Sequence, residues 1–190
     1  ATYRRRGLWA IKQKHGGKFP THAAAATPAP AAAPTGPRPS PEALADRSAR
    51  MQAAKVAAAP IVPVVRQFED PVPPEAEGKL DLVTLIFNYH DLGHMGVDRA
   101  AMNKAVFKAL KKGGHFVIAD HSGRPGTGIS EAGTLHRIEE STLKQEIEAA
   151  GFKLVAEGDF LHHAEDPKDI PVFKAPVPVD EFVLKYQKPQ

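Results

Sequence analysis

The run LDLVTLIFNY, residues 80–89, constrains the chain more than any other segment. From Leu82 to Phe87 it is apolar except for Thr84. The run is too short for a buried helix and lacks the alternation of a strand with one wet face. It therefore reads as a strand covered on both faces, as in a parallel sheet. Parallel strands need crossover connections, and the next segment supplies one. Asp98 is placed to cap a helix whose apolar positions are Met102, Ala105, Val106, Ala109 and Leu110, a spacing of one helical face. Lys111 and Lys112 suit its C-terminal end, and Gly113-Gly114 is expected to stop it. Residues 115–119, HFVIA, read as a second buried strand that ends at Asp120-His121-Ser122.

The remaining segments complete the pattern. Ser141 to Ala150 reads as a helix with Leu143, Ile147 and Ala150 inward and Gly151 at its end. Residues 152–160 and 181–187 read as strands, separated by a proline-rich loop in which His162 and His163 are expected to be solvated. GRPGTGIS, residues 123–130, reads as a mobile loop, either a flexible lid or a plain loop. It lacks the Lys-Ser/Thr of a phosphate loop. Upstream, residues 41–57 predict a helix with Ser40 as N-cap and Pro41 at its first position. Residues 61–68, IVPVVRQF, predict a strand that Pro63 pushes toward a sheet edge. The order is that of an α/β fold, a doubly wound Rossmann-like sheet finished by an antiparallel hairpin.

Charge divides the chain differently. Residues 1–22 hold six of the 25 basic side chains, Arg4, Arg5, Arg6, Lys12, Lys14 and Lys18, and none of the 22 acidic ones. With Trp9 and Phe19 among them, these cations suit RNA: phosphate pairing and base stacking need no prior fold. A disordered basic arm is the plainer reading of the same composition. Residues 23–40 are Ala- and Pro-rich and read as a solvated linker, so the folded domain is expected at 41–190. There is no cysteine, which excludes disulfides and thiolate chemistry. No run reaches the roughly 18–20 apolar residues of a membrane span, and no apolar core follows the basic N-terminus as in a secretory signal. These features point to a soluble protein, cytoplasmic rather than secreted, with no membrane partner. Ala1 in place of methionine suggests a processed chain or a fragment.

Candidate chemistry gathers at strand ends, where open α/β sheets bind ligands. Asn88, Tyr89, His90 and Asp91 follow the first buried strand, and Asp120, His121 and Ser122 end the second. His90 is placed to act as a general base oriented by Asp91, or else to pack beneath the turn while Asn88 and Asp91 cap it. Asp120, His121 and Ser122, together with His136 and Arg137, are candidates for a substrate cleft. Strand-end capping and an exposed helix-entry pair are the plainer alternatives. The spacing His90-Asp91-x-x-His94 invites a metal, but Gly93 and the preceding strand argue against the helix it would need. No metal is expected.

The segments NYHDLGHM (88–95), ALKKGGHFVIADHS (109–122) and HRIEESTLKQEIEAAGF (136–152), at these spacings, resemble a family of predicted bacterial methyltransferases of class I. The likeness runs from about Arg66 to Lys188. It implies strands four to seven of that fold, S-adenosylmethionine as cofactor and an unknown small-molecule methyl acceptor. It also implies cofactor contacts from Asp70, Asn88 and Tyr89. The helix at 41–57 is similar to the family's helix between strands two and three. No glycine-rich turn after an apolar strand precedes it, so strands one and two are expected to be missing and cofactor binding impaired. An unpaired edge beside Leu82–Phe87 then follows, with self-association through it. TYRRRGLWAIKQKHGGKFPTHAAAA, from Thr2, resembles the N-terminal arm of the eukaryotic large-subunit ribosomal protein of the L-six family. That likeness implies ribosomal RNA as a partner of Arg4, Arg5, Arg6, Trp9, Lys12, Lys14 and Lys18. The two resemblances together imply a chimera or a truncated domain, with an RNA-binding role or no function as alternatives to enzymatic activity.

Overall fold

The computed structural model describes residues 40–57 and 59–190. The expected arm at 1–22 and the linker expected at 23–40 lie outside the described residues, except that Ser40 already opens a helix. The chain divides into two compact units at Val64–Val65.

In the first unit, helix α1 spans Ser40–Ala53, with Pro41 in its opening turn. A proline there loses no hydrogen bond, because the first amides of a helix have no intrahelical partner. The predicted helix stops four residues early. Lys55 takes a left-handed conformation (φ 53°), and the Val56 amide donates back to the Met51 carbonyl at 3.0 Å. That is a Schellman-type end, with lysine where glycine is usual. The expected strand at 61–68 is not formed, since residues 59–67 carry no regular structure. Pro60 and Pro63 have no amide to give to a ladder.

The second unit, from Val65 onward, holds the sheet. Strand β1 is Leu80–Ile86, helix α2 Tyr89–His94, helix α3 Arg99–Ala109, strand β2 Leu110–His121, helix α4 Glu140–Ala149, strand β3 Lys153–Gly158 and strand β4 Glu181–Gln187. The sheet order is β1-β2-β4-β3, with β1 and β2 parallel and both pairings of β4 antiparallel. The expected hairpin is therefore present. Phe116 faces Tyr186, Ile118 faces Leu184 and Asp120 faces Phe182 across the central pair.

One face of the sheet makes the core. Val83, Leu85, Phe116, Ile118, Phe182, Leu184 and Tyr186 pack with Met102 and Val106 of α3 and Leu143 and Ile147 of α4, all buried. The other face is open at β1. Leu82 is 52% exposed and Thr84 is exposed, so covering on both faces, expected from the apolar run, does not hold for β1. Among the described residues, β1 pairs on its β2 side alone.

The boundary between α3 and β2 also departs from expectation. Asp98 caps α3 as its position predicts, its Oδ1 accepting from the Ala101 amide at 2.9 Å. The helix ends at Ala109, however, and Leu110 is already extended. Gly113 and Gly114 belong to an irregular start of β2, where the register with β1 shifts between Leu80 and Leu82. A Cβ on Gly114 would lie 2.9 Å from the Lys111 carbonyl oxygen and 3.2 Å from that of Leu80. Glycine is needed there for close backbone approach rather than for a helix stop.

Candidate functional site

The carboxyl ends of β1 and β2 bring the candidate residues together. After β1 the backbone turns at Phe87, whose φ of 55° is left-handed. The Phe87 amide still donates to the Ala119 carbonyl (2.8 Å), so the turn is tied to β2. Its ring stacks on His121 with centroids 4.8 Å apart and planes 5° from parallel. Asn88 then precedes α2, a six-residue helix where the sequence, on account of Gly93, predicts none. Gly93 is accommodated because Ile129 packs where its side chain would be: a Cβ there would lie 2.3 Å from Ile129 Cγ1.

Asp120 is the pivot of the site. It is fully buried and its carboxylate accepts three hydrogen bonds, from the His90 amide (2.9 Å), the His121 amide (2.8 Å) and His90 Nδ1 (2.6 Å). Burial of the His90 ring opposes its charge, but the charge of Asp120, its hydrogen bond and the nearby Asp91 outweigh this. The imidazole pKa is pushed up to about 10. The couple with Asp120 thus favours the protonated ring. Its outer nitrogen, Nε2, lies 3.4 Å from Asp91 Oδ1, and His136 Nδ1 lies 3.4 Å from the same oxygen. The two imidazoles meet edge to face at 5.4 Å. Asp91 and His136 are the partly exposed members of this group, with side chains 29% and 22% accessible.

Other predicted residues are placed elsewhere. Tyr89 is completely buried among the helices, not turned to a cofactor. Its hydroxyl donates to Glu146 Oε2 (2.7 Å) and accepts from Asn103 Nδ2 (2.8 Å). Burial and the charge of Glu146 raise the tyrosine pKa. Asp70 ends no strand; it sits in a turn, mostly exposed, and its carboxylate pairs with Arg66. Arg137 lines no cleft. Its guanidinium is wholly buried and forked onto Asp166 (2.8 and 3.1 Å), with further bonds to the Ser122 and Ile170 carbonyls (3.0 and 3.3 Å). Ser122 is buried as well, its amide donating to the Asp180 carbonyl at 2.9 Å. His121 is nearly buried, with Nδ1 2.9 Å from Glu181 Oε1 but outside the angle a hydrogen bond needs. In the loop 123–130, Glu139 Oε2 accepts the amides of Gly126 (3.0 Å) and Gly128 (2.9 Å). His94 does not join His90; its ring packs against Gly133.

Sequence reasoning missed the acidic residues that hold this end of the sheet together. Asp180 Oδ1 accepts the His163 amide (2.7 Å) and lies 3.1 Å from His162 Nδ1, its Oδ2 meets Lys168 Nζ (2.7 Å), and its own amide donates to Asp166 (2.7 Å). Neither carboxylate lies on a periodic element, so no pattern marks them. His162, expected in solvent, is therefore half-tethered. Burial works to raise the Asp180 pKa, but the Lys168 hydrogen bond and the His163 amide bring it down to about 2. A depressed carboxyl stabilises the fold above its ordinary value and loses that contribution as pH falls through the folded one. Stability is thus expected to drop by about 1–2 kcal/mol between pH ~4 and ~2 on this account. Urea midpoints across that range should fall less steeply for Asp180→Asn.

Of the three residues expected to contact S-adenosylmethionine, Tyr89 and Asp70 are committed to Glu146 and Arg66, which leaves Asn88. No strand followed by a glycine-rich turn lies among the described residues ahead of β1. His90, Asp91 and His136 do present a set of ligand atoms within 4.8 Å of one another.

No family model matches the chain, and no curated protein does. Solved structures match it in fold. The [4+2]-cyclase SpnF is 13% identical, with a TM-score of 0.52 over 77% of this chain and 62% of the cyclase. BH2331 of Bacillus halodurans C-125, a proposed methyltransferase, is 16% identical, with a TM-score of 0.52 over 78% and 80%. The YcgJ protein of Bacillus subtilis is 13% identical, with a TM-score of 0.51 over 78% and 79%. The chain thus spans less than two thirds of the cyclase. A cyclase among the neighbours shows that the fold alone does not select a reaction. The mixed α/β arrangement around the sheet β1-β2-β4-β3 is like the fold of these solved methyltransferase structures.

Proposed function

We propose that the chain is an S-adenosylmethionine-dependent methyltransferase-like domain that supplies the acceptor side of the cleft and holds the cofactor poorly by itself. The observation carrying this reading is the His90–Asp120 couple at the carboxyl ends of two adjacent parallel strands, where such sheets bind ligands. Methyl transfer chiefly requires alignment of acceptor, methyl and sulfur, and alignment requires a tightly held cofactor. The side chains that remain can orient an acceptor. His90 is fixed from below by Asp120, and Asp91 and His136 reach toward solvent.

Calorimetry of the 190-residue chain with S-adenosylmethionine is expected to show no binding at micromolar concentrations. A micromolar dissociation constant would overturn the impairment while leaving the methyltransferase reading intact. Amide shifts recorded at millimolar cofactor separate the two. Perturbations gathered at Asn88, His90 and His121 support the domain assignment, and their absence from both strand ends sinks it.

A further inference from the structure

We propose that His90, Asp91 and His136 form a binding site for a divalent transition-metal cation of borderline softness, such as zinc or iron(II). This inference does not depend on the methyltransferase reading. The ligand set is two imidazoles and one carboxylate, suited to first-row cations rather than to magnesium or calcium. A tetrahedral ion about 2.1 Å from each ligand holds neighbouring ligand atoms about 3.4 Å apart. Asp91 Oδ1 lies 3.4 Å from His90 Nε2 and 3.4 Å from His136 Nδ1. All three ligand atoms fall within 4.8 Å of one another, so closing the set needs only a small approach of the two rings.

The surroundings are those of a built site. His90 Nδ1 donates to the buried Asp120 at 2.6 Å, which leaves Nε2 as the nitrogen that faces the cluster. A carboxylate behind a ligating histidine fixes its tautomer and orientation, and this arrangement is common to metal-binding imidazoles. The Asp120 carboxylate is itself anchored by two backbone amides, so it cannot swing away. His136 is held from the opposite side by an edge-to-face contact with Phe173 at 5.0 Å. Its backbone is left-handed, with φ 56°. Three protein ligands leave a fourth position open to water or substrate, as in catalytic rather than structural sites.

The test uses the metal-stripped 190-residue chain titrated with zinc chloride and, separately, cobalt(II) chloride, with magnesium chloride as a further arm. One zinc or cobalt ion per chain is expected, with the visible absorption of four-coordinate cobalt and no heat from magnesium. His136→Ala and Asp91→Ala both change partly exposed side chains and should each weaken zinc binding by at least about tenfold. Asp120→Asn should weaken it about 10–100-fold. His163→Ala, outside the cluster, should leave the affinity unchanged. The proposal is overturned if the unmodified chain binds neither zinc nor cobalt. It is equally overturned if His136→Ala and Asp91→Ala bind as the unmodified chain does, or if magnesium binds as well as zinc.

Discussion

Replacing Arg137 by methionine is expected to lower the unfolding free energy by about 3–5 kcal/mol, read from urea midpoints at constant slope. The guanidinium and the Asp166 carboxylate are both fully buried, and Asp166 also accepts the amides of Lys168 and Asp180. Removing the cation leaves a desolvated carboxylate among groups chosen for a pair. Two carbonyls, at Ser122 and Ile170, lose their donors as well. A loss of this size is a large share of the roughly 5–15 kcal/mol that holds a domain together. The double variant Arg137→Met with Asp166→Leu should recover part of the loss, because the orphaned charge is then absent. If the single variant instead loses less than about 1 kcal/mol, the pair is not buried in solution as described.

Asp120→Ala is expected to cost a similar amount, about 3–5 kcal/mol, for a different reason. Three donors converge on this carboxylate, and two of them are backbone amides. Asp120→Asn retains the shape but offers an NH2 group where an acceptor is required, so about half that loss is expected. In the asparagine variant the His90 imidazole should also titrate below its value in the unmodified chain, since the charge that raises it is gone. A proton NMR titration of the ring reads this directly. An unchanged His90 titration would mean that Asp120 does not govern the ring.

The contrast between these residues shows what can be read from sequence. Asp120 sits at the end of a plainly apolar strand, so its place at the head of β2 follows from the run HFVIA and the geometry of α/β sheets. β4 is equally legible, because EFVLKYQ alternates and the structure buries Phe182, Leu184 and Tyr186 on one face. Arg137 carries no such mark. Its partner is 29 residues away in an irregular loop, and an arginine beside a histidine reads as surface until that loop folds over it. Tyr89 misleads in the opposite way. Its position after β1 suggests a ligand contact, but the unpredicted helix α2 turns its ring into the core toward Glu146. The segment at 61–68 has strand-like composition, but Pro63 within it and Pro60 just before it have no amides to give, which leaves the composition unused. Long-range pairing decided the outcome in the first case, a short helix in the second and missing donors in the third.

Position 136 carries a further consequence. A histidine held at a positive φ costs about 1 kcal/mol that glycine would not. Laboratory evolution for heat tolerance alone would therefore favour glycine there and discard the imidazole without warning. The edge contacts of that ring with His90 and Phe173 would be lost along with it.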